Sequence, residues 1–149
     1  MAFSIWKSFA AIARCSVLAL FALSSQGGDK ALAQAEEPIV IVALGDSLTA
    51  GYQLPPNTGF PEQLEKALKA KGHHVRVINS GVSGDTASDG LARFDWAMPK
   101  DADAVILELG ANDALRGIPV AETKKALGGI LKRLKDRKIE VLIAGMEAP

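Results

Sequence analysis

The sequence has very few cysteines and histidines. Among its 149 residues are one cysteine, Cys15, and two histidines, His73 and His74. A single cysteine cannot form an internal disulfide or a metal site built from several thiolates. Basic and acidic residues number 17 each, and the basic ones form no patch, which argues against nucleic-acid binding. The common phosphate-binding patterns, G-x-G-x-x-G and G-K-[ST], are also missing.

The first 33 residues have the pattern of a secretory signal. Lys7 and Arg14 come first, a short apolar run follows, and the small residues Ala31-Leu32-Ala33 supply a cleavage site. A membrane anchor is the rival interpretation. The apolar run is about half of the ~20 residues that span a bilayer, so the pattern favours a signal cleaved after Ala33.

Cleavage after residue 33 would change the composition of the remaining chain. The segment 1–33 contains the single cysteine, three of the 17 basic residues and one of the 17 acidic residues. The mature chain would keep 14 basic and 16 acidic residues, a net charge of −2. We therefore expect an exported protein, periplasmic or extracellular, with no stable membrane span after cleavage and one domain over 38–149.

The domain alternates apolar strands with amphipathic helices. We expect strands at 38–43, 74–79, 103–109 and 139–144, and helices at 60–71, 86–94 and 120–138. This alternation predicts the α/β class, with a parallel sheet that is covered by helices on both faces. No helix follows the fourth strand to cover it, which predicts an exposed edge and a C-terminally incomplete domain.

Three loops at the ends of predicted strands contain polar residues with compatible chemistry. They are Gly45 to Gly51, Ser80 to Gly84 and Gly110 to Asp113. Because parallel strands end at the same edge of a sheet, these loops are expected to meet around one crevice.

The residue types in these loops suit the hydrolysis of an acyl group. The Ser47 hydroxyl can attack a carbonyl carbon. The backbone N–H groups of Ser47 and Gly84 and the side-chain amide of Asn112 can then stabilise the oxyanion. Each residue also has an ordinary interpretation, since serine and asparagine are common in turns. By the same reasoning Asp46 is expected to bond its own loop, and Asp85 and Asp113 are expected to cap helices.

The same three loops resemble the sequence blocks of the SGNH (GDSL) hydrolase family. The matching stretches are Gly45-Asp46-Ser47-Leu48, Asn79 to Thr86, and Gly110-Ala111-Asn112-Asp113. The resemblance implies a flavodoxin-like, three-layer fold that hydrolyses aryl, thio or lysophospholipid esters through an acyl-enzyme. It implies Ser47 as the nucleophile, with Ser47, Gly84 and Asn112 as the oxyanion hole. It also implies a small-molecule ester as the partner, and no cofactor or metal.

One block of that family, Asp-x-x-His, which supplies the general base, does not occur in this sequence. His73 and His74 lie at the start of the second predicted strand, at the opposite end of the sheet from the three loops. A strand of five residues spans about 16 Å, whereas proton transfer needs about 3 Å. Glu108 lies within the third predicted strand and Glu147 in the terminal tail, so neither obviously replaces the histidine.

We therefore expect weak or no esterase activity from this chain alone. A truncated, non-catalytic product that binds acyl groups or is inactive remains the alternative. A flavodoxin-like binder of nucleotides or phosphate, using backbone N–H groups at helix N-termini, is a third interpretation.

Overall fold

The structure is a computed structural model that describes residues 37–145. The predicted signal at 1–33 lies outside these residues. The strands are β1 (Ile39–Gly45), β2 (Val75–Gly81), β3 (Ala104–Glu108) and β4 (Glu140–Ile143). The helices are α1 (Ser47–Ala50), α2 (Phe60–Ala70), α3 (Ala87–Ala92), α4 (Phe94–Ala97), α5 (Ala111–Leu115) and α6 (Val120–Asp136). Within the described part of the chain, no helix has the length and apolar character needed to cross a membrane.

All four strands are parallel and lie in the order β2-β1-β3-β4. This is the flavodoxin-like order, in which the winding of the chain reverses between β1 and β3. Ligands of such sheets bind beyond the carboxyl ends of the strands at that reversal. Every residue of β4 is exposed, as predicted for the edge strand.

The main core lies between the sheet and the helices α3, α4 and α6. Alternate residues of the two central strands point into it and pack against buried helical side chains; its largest members are Val42, Leu44, Phe94, Val105, Leu107, Ile130 and Leu134. On the opposite face, Ile41 and Ile106 line an apolar groove together with Leu64 and Leu68 of α2. Helices thus cover both faces of the sheet, and the predicted α/β, three-layer fold is confirmed.

The helix boundaries differ from the prediction in two respects. Asp85 does not cap α3; the cap is Thr86, whose hydroxyl accepts from the Asp89 N–H while the Asp89 carboxylate accepts from the Thr86 N–H. This capping box leaves the Asp85 side chain free for another contact. The short helices α1, α4 and α5, of four, four and five residues, stand where the sequence predicts turns or a longer helix.

Candidate active site

The three predicted loops meet at the carboxyl ends of β1, β2 and β3. Gly45, the last residue of β1, is in register with Gly81 of β2 and with Glu108 of β3. The Val82 N–H donates to the Gly45 carbonyl at 3.0 Å, which joins the second loop to the first. Because the three strands end at one level, the residues that follow them surround a common crevice.

Ser47 begins helix α1, immediately beyond the end of β1. Asp46, which is fully buried, caps this helix by accepting a hydrogen bond from the Leu48 N–H to Oδ1 at 3.1 Å. The predicted contact of Asp46 with its own loop is thus confirmed. Ser47 is half-buried, and its hydroxyl bonds to no other residue within 37–145. The first turn therefore holds the Ser47 backbone, and its hydroxyl is unengaged by the part of the chain that the structure describes.

Asn112, the second residue of α5, connects the first two loops through its side-chain amide. Its Nδ2 donates to Asp46 Oδ2 at 3.0 Å and to the Asp85 carbonyl at 2.9 Å. Asp46 precedes Ser47 in the chain, and Asp85 follows Gly84. The amide therefore lies between the immediate neighbours of both other predicted site residues, and the structure brings all three loops together. Since an amide carries two hydrogens, an oxyanion bound here would share or replace one of these acceptors.

Gly84 has a backbone conformation that other residues adopt only with strain. Its φ is +89°, and the nearest atom to a Cβ built there is Nη2 of Arg116, at 3.6 Å. The same Nη2 donates to the Gly84 carbonyl at 2.6 Å. A side chain at residue 84 would cost about 1–2 kcal/mol in backbone energy alone, and it would project toward Arg116.

Arg93 connects the second loop to the end of β1, and no pattern in the sequence points to this role. Its Nη2 donates to the carbonyls of Gly45 and Ser80 at 3.0 and 2.9 Å, and its Nε pairs with the Asp85 carboxylate. Both side chains of this ion pair are about seven-eighths buried. Asp85 is thus the partner of a buried arginine rather than a helix cap.

Asp113, the neighbour of Asn112, is buried and accepts two hydrogen bonds. Oδ2 accepts from the Ala87 N–H at 2.8 Å, and Oδ1 accepts from the Thr123 hydroxyl at 2.9 Å. Ala87 opens α3 and Thr123 lies in the first turn-and-a-half of α6. Asp113 was predicted to cap a helix. It lies inside α5 and caps α3 from across the site, linking three helices.

Glu108 ends β3 and points its carboxyl group under the Ser47 turn. Its Oε2 accepts from the Thr49 hydroxyl at 2.9 Å and from the Asp46 N–H at 3.3 Å. Its Oε1 is buried and has no hydrogen-bond partner among the described residues. Burial raises the pKa of Glu108 above its usual range, and the negative charge of Asp46 adds to this rise, while the Thr49 hydroxyl opposes it.

The two histidines lie at the opposite end of the sheet, as predicted. The His74 carbonyl accepts from the Ile39 N–H at the start of β1. Ser47 follows the other end of this seven-residue strand, about 20 Å away at the usual rise per residue. Neither histidine can therefore accept the Ser47 proton. Between residues 37 and 145, no group of three or more histidine, cysteine or carboxylate side chains is placed to hold a metal ion.

The fold and the three loops define a flavodoxin-like α/β protein with a polar site at the reversal of strand order. Residues 43–149 match the family model described as GDSL-like Lipase/Acylhydrolase. The chain belongs to this family.

The similar proteins include named esterases. An arylesterase of Vibrio mimicus is 40% identical over 120 residues, covering 80% of this chain and 59% of the relative. The "Thioesterase 1/protease 1/lysophospholipase L1" of Escherichia coli is 34% identical over 110 residues, covering 73% and 51%. The crystal structure of AlinE4, described as an SGNH-hydrolase family esterase, superposes with a TM-score of 0.73 at 47% identity, covering 76% and 61%. The chain thus spans little more than half the length of the curated relatives it matches.

Proposed function

We propose that the chain is a serine-dependent hydrolase of carboxylic esters. The Ser47 oxygen bonds to the ester carbonyl carbon, the serine proton passes to a base, and the carbonyl oxygen becomes an oxyanion. When the oxyanion collapses, the bond to the leaving alcohol breaks and an acyl-enzyme remains, which water then hydrolyses. The observation that carries this proposal is the Asn112 amide, which lies within 3.0 Å of acceptors on the neighbours of Ser47 and Gly84.

The backbone N–H groups of Ser47 and Gly84 and the Asn112 side chain are the proposed oxyanion donors. Asp46 and Asp85 hold the Asn112 amide in place before substrate arrives. Such preorganised donors stabilise the charge that develops in the transition state, and each contributes about 2.7–4 kcal/mol. No metal or cofactor is needed for this chemistry, so a chelator should leave the rate unchanged.

Among residues 37–145, none of the histidines and none of the aspartates described above is placed to accept the Ser47 proton. Asp46, Asp85 and Asp113 are engaged in the contacts described above, and both histidines are remote. We therefore expect the 149-residue chain alone to hydrolyse esters weakly. By analogy with serine proteases, a site without its base keeps about 10³–10⁴-fold catalysis over water.

Chemical rescue tests this proposal on the chain as given. Wild type and Ser47→Ala are assayed with a short-chain aryl ester, with and without added imidazole as the proton acceptor. The expected result is a turnover in wild type that imidazole increases and that Ser47→Ala lacks after subtraction of free imidazole catalysis. Equal rates in the two proteins would refute the proposal. Saturable binding of the ester without Ser47-dependent turnover would instead support the acyl-binding alternative.

The proposed substrate is a small ester, and its leaving group distinguishes an aryl ester, an acyl thioester and a lysophospholipid. Apolar side chains near Ser47 in the sequence are exposed and can contact an acyl chain or an aryl group: Leu48, Tyr52, Leu54 and Phe60. Comparing an aryl ester, an acyl thioester and a lysophospholipid in the rescue assay would rank the three.

We also propose that the protein acts outside the cytoplasm after cleavage of residues 1–33. The basic start, the short apolar run and Ala31-Leu32-Ala33 support this. Amino-terminal sequencing of the protein recovered from the periplasm or the medium should begin at Gln34. An intact amino terminus in the cytoplasmic fraction would count against export.

A further inference from the structure

Glu108 is a partly buried carboxyl group at the site, and the proposed reaction gives it no role. It lies at the end of β3, in register with Gly45, so its side chain reaches the turn that follows β1. The two groups that it accepts from, the Asp46 N–H and the Thr49 hydroxyl, belong to residues on either side of Ser47. A single oxygen, Oε2, therefore holds both ends of the turn that presents the candidate nucleophile.

Gly45 makes this contact sterically possible. A Cβ at residue 45 would lie 2.7 Å from both the backbone oxygen and Oε2 of Glu108, and closer still to the Thr49 hydroxyl. Real Cβ atoms do not approach other atoms so closely, so any side chain here would push Glu108 and α1 apart. The absence of a side chain at residue 45 thus lets the carboxyl group fit directly under the turn.

We propose that Glu108 is a positioning residue that clamps the Ser47 turn to the end of β3. The role rests on the proposed function of Ser47. Asn112 lies on the helix that follows β3, so the clamp fixes the distance between the nucleophile and an oxyanion donor. Glu108 does not touch substrate. It acts by accepting hydrogen bonds, and Oε1 needs no partner for this.

The clamp needs one accepting oxygen, which a protonated carboxyl group also provides. Among the described residues, Asp46 is the charged group that faces Glu108, whereas α1 presents the uncharged Thr49. A neutral side chain with one oxygen at the Oε2 position accepts the same two bonds and avoids repulsion from Asp46. Glutamine has this shape, with its amide nitrogen at the Oε1 position, so Glu108→Gln should preserve the clamp and Glu108→Ala should remove it.

The test compares Glu108→Ala, Glu108→Gln and the exposed control Glu122→Ala by kinetics and by amide hydrogen exchange. In the rescue assay, Glu108→Ala should lower kcat about 10- to 100-fold and change KM much less, because orientation rather than binding is lost. Glu108→Gln and Glu122→Ala should keep most of the wild-type kcat. In the hydrogen-exchange experiment, only Glu108→Ala should increase the exchange rates of the Asp46 amide and the α1 amides.

The outcomes distinguish a failure of the clamp from a failure of the proposed function. A wild-type kcat with unchanged exchange in Glu108→Ala, or a Glu108→Gln variant as slow as Glu108→Ala, would overturn the clamp. If wild type shows no Ser47-dependent turnover, the proposed function fails, and the exchange rates alone decide whether Glu108 holds the turn. If Glu108→Ala does not fold, Thr49→Val removes one of the two bonds without changing the side-chain shape; unaltered exchange in α1 would then refute the clamp.

Discussion

Replacing Asp113 by alanine should destabilise the fold more than any surface change near the site. The carboxylate accepts from the Ala87 N–H at 2.8 Å and the Thr123 hydroxyl at 2.9 Å. A hydrogen bond to a charged group contributes about 1.5–3 kcal/mol. Ala87 is fully buried, so its N–H would lose its partner without gaining water, whereas half-buried Thr123 can be rehydrated. We expect Asp113→Ala to lower the free energy of unfolding by about 2–4 kcal/mol.

Asparagine at the same position should be far less harmful. Its oxygen can accept from Ala87, and its NH₂ can donate to the Thr123 hydroxyl, because a hydroxyl both donates and accepts. Both bonds persist, but neither is now charge-assisted, so Asp113→Asn should cost about 1 kcal/mol. The contrast between the two variants therefore separates the loss of two hydrogen bonds from the loss of a charge.

Urea unfolding, followed by circular dichroism, measures these differences. At about 2 kcal/mol per molar urea, the midpoint of Asp113→Ala should fall by about 1–2 M. The control is Asp136→Ala, which removes an exposed ion pair with Lys132 and should cost no more than about 0.5 kcal/mol. An Asp113→Ala midpoint equal to that of the control, or an Asp113→Asn midpoint as low as that of Asp113→Ala, would refute the reasoning.

Two further predictions concern the turn that precedes Ser47. Gly45→Ala should lower the melting temperature, because its Cβ would collide with Glu108 and Thr49 at a cost of about 1–3 kcal/mol. The control is Gly128→Ala, where a Cβ meets open space and should stabilise α6 by up to about 1 kcal/mol. Equal changes of melting temperature in the two variants would count against the steric argument. The pKa of Glu108 is raised in the folded state. Its protonated form therefore contributes stability that is fully present below the pKa of glutamate in the unfolded chain, about 4.3, and that is lost as pH rises through the pKa of Glu108 in the folded state. Wild type should therefore lose stability relative to Glu108→Gln as the pH of urea unfolding is raised from about 4 to 8, and a constant difference would show that Glu108 does not titrate in this range.

The sheet and the meeting of the loops could be predicted from sequence because they depend on long, simple patterns. The apolar, β-branched run at 38–43 favours a buried strand. Because parallel strands end at the same edge of a sheet, the loop that follows this strand is then expected to lie near the loop that contains Asn112. The short helices could not be predicted in this way. With four or five residues, α1, α4 and α5 are too short to show a helical period.

The contacts that hold the site together also escaped prediction, because they join residues far apart in sequence. Thr86 and Asp85 are both good capping residues; in the structure Thr86 caps α3 through its capping box with Asp89, and Asp85 pairs with Arg93. The sequence gives one indication of Glu108, because it is a charged residue within an apolar strand. Its partner Thr49 lies 59 positions earlier in the chain, and no local pattern connects the two.

The central position of β1 has a consequence for when the site can first exist. Its Ile41 pairs with Ala104 of β3, so 63 further residues must be synthesised before that pairing can begin. At 5–20 residues per second, a ribosome takes about 3–13 s to make them. During that interval Ser47 has neither Glu108 beneath it nor Asn112 beside it. The nascent chain therefore contains the proposed nucleophile several seconds before the residues proposed to position it and to stabilise the oxyanion.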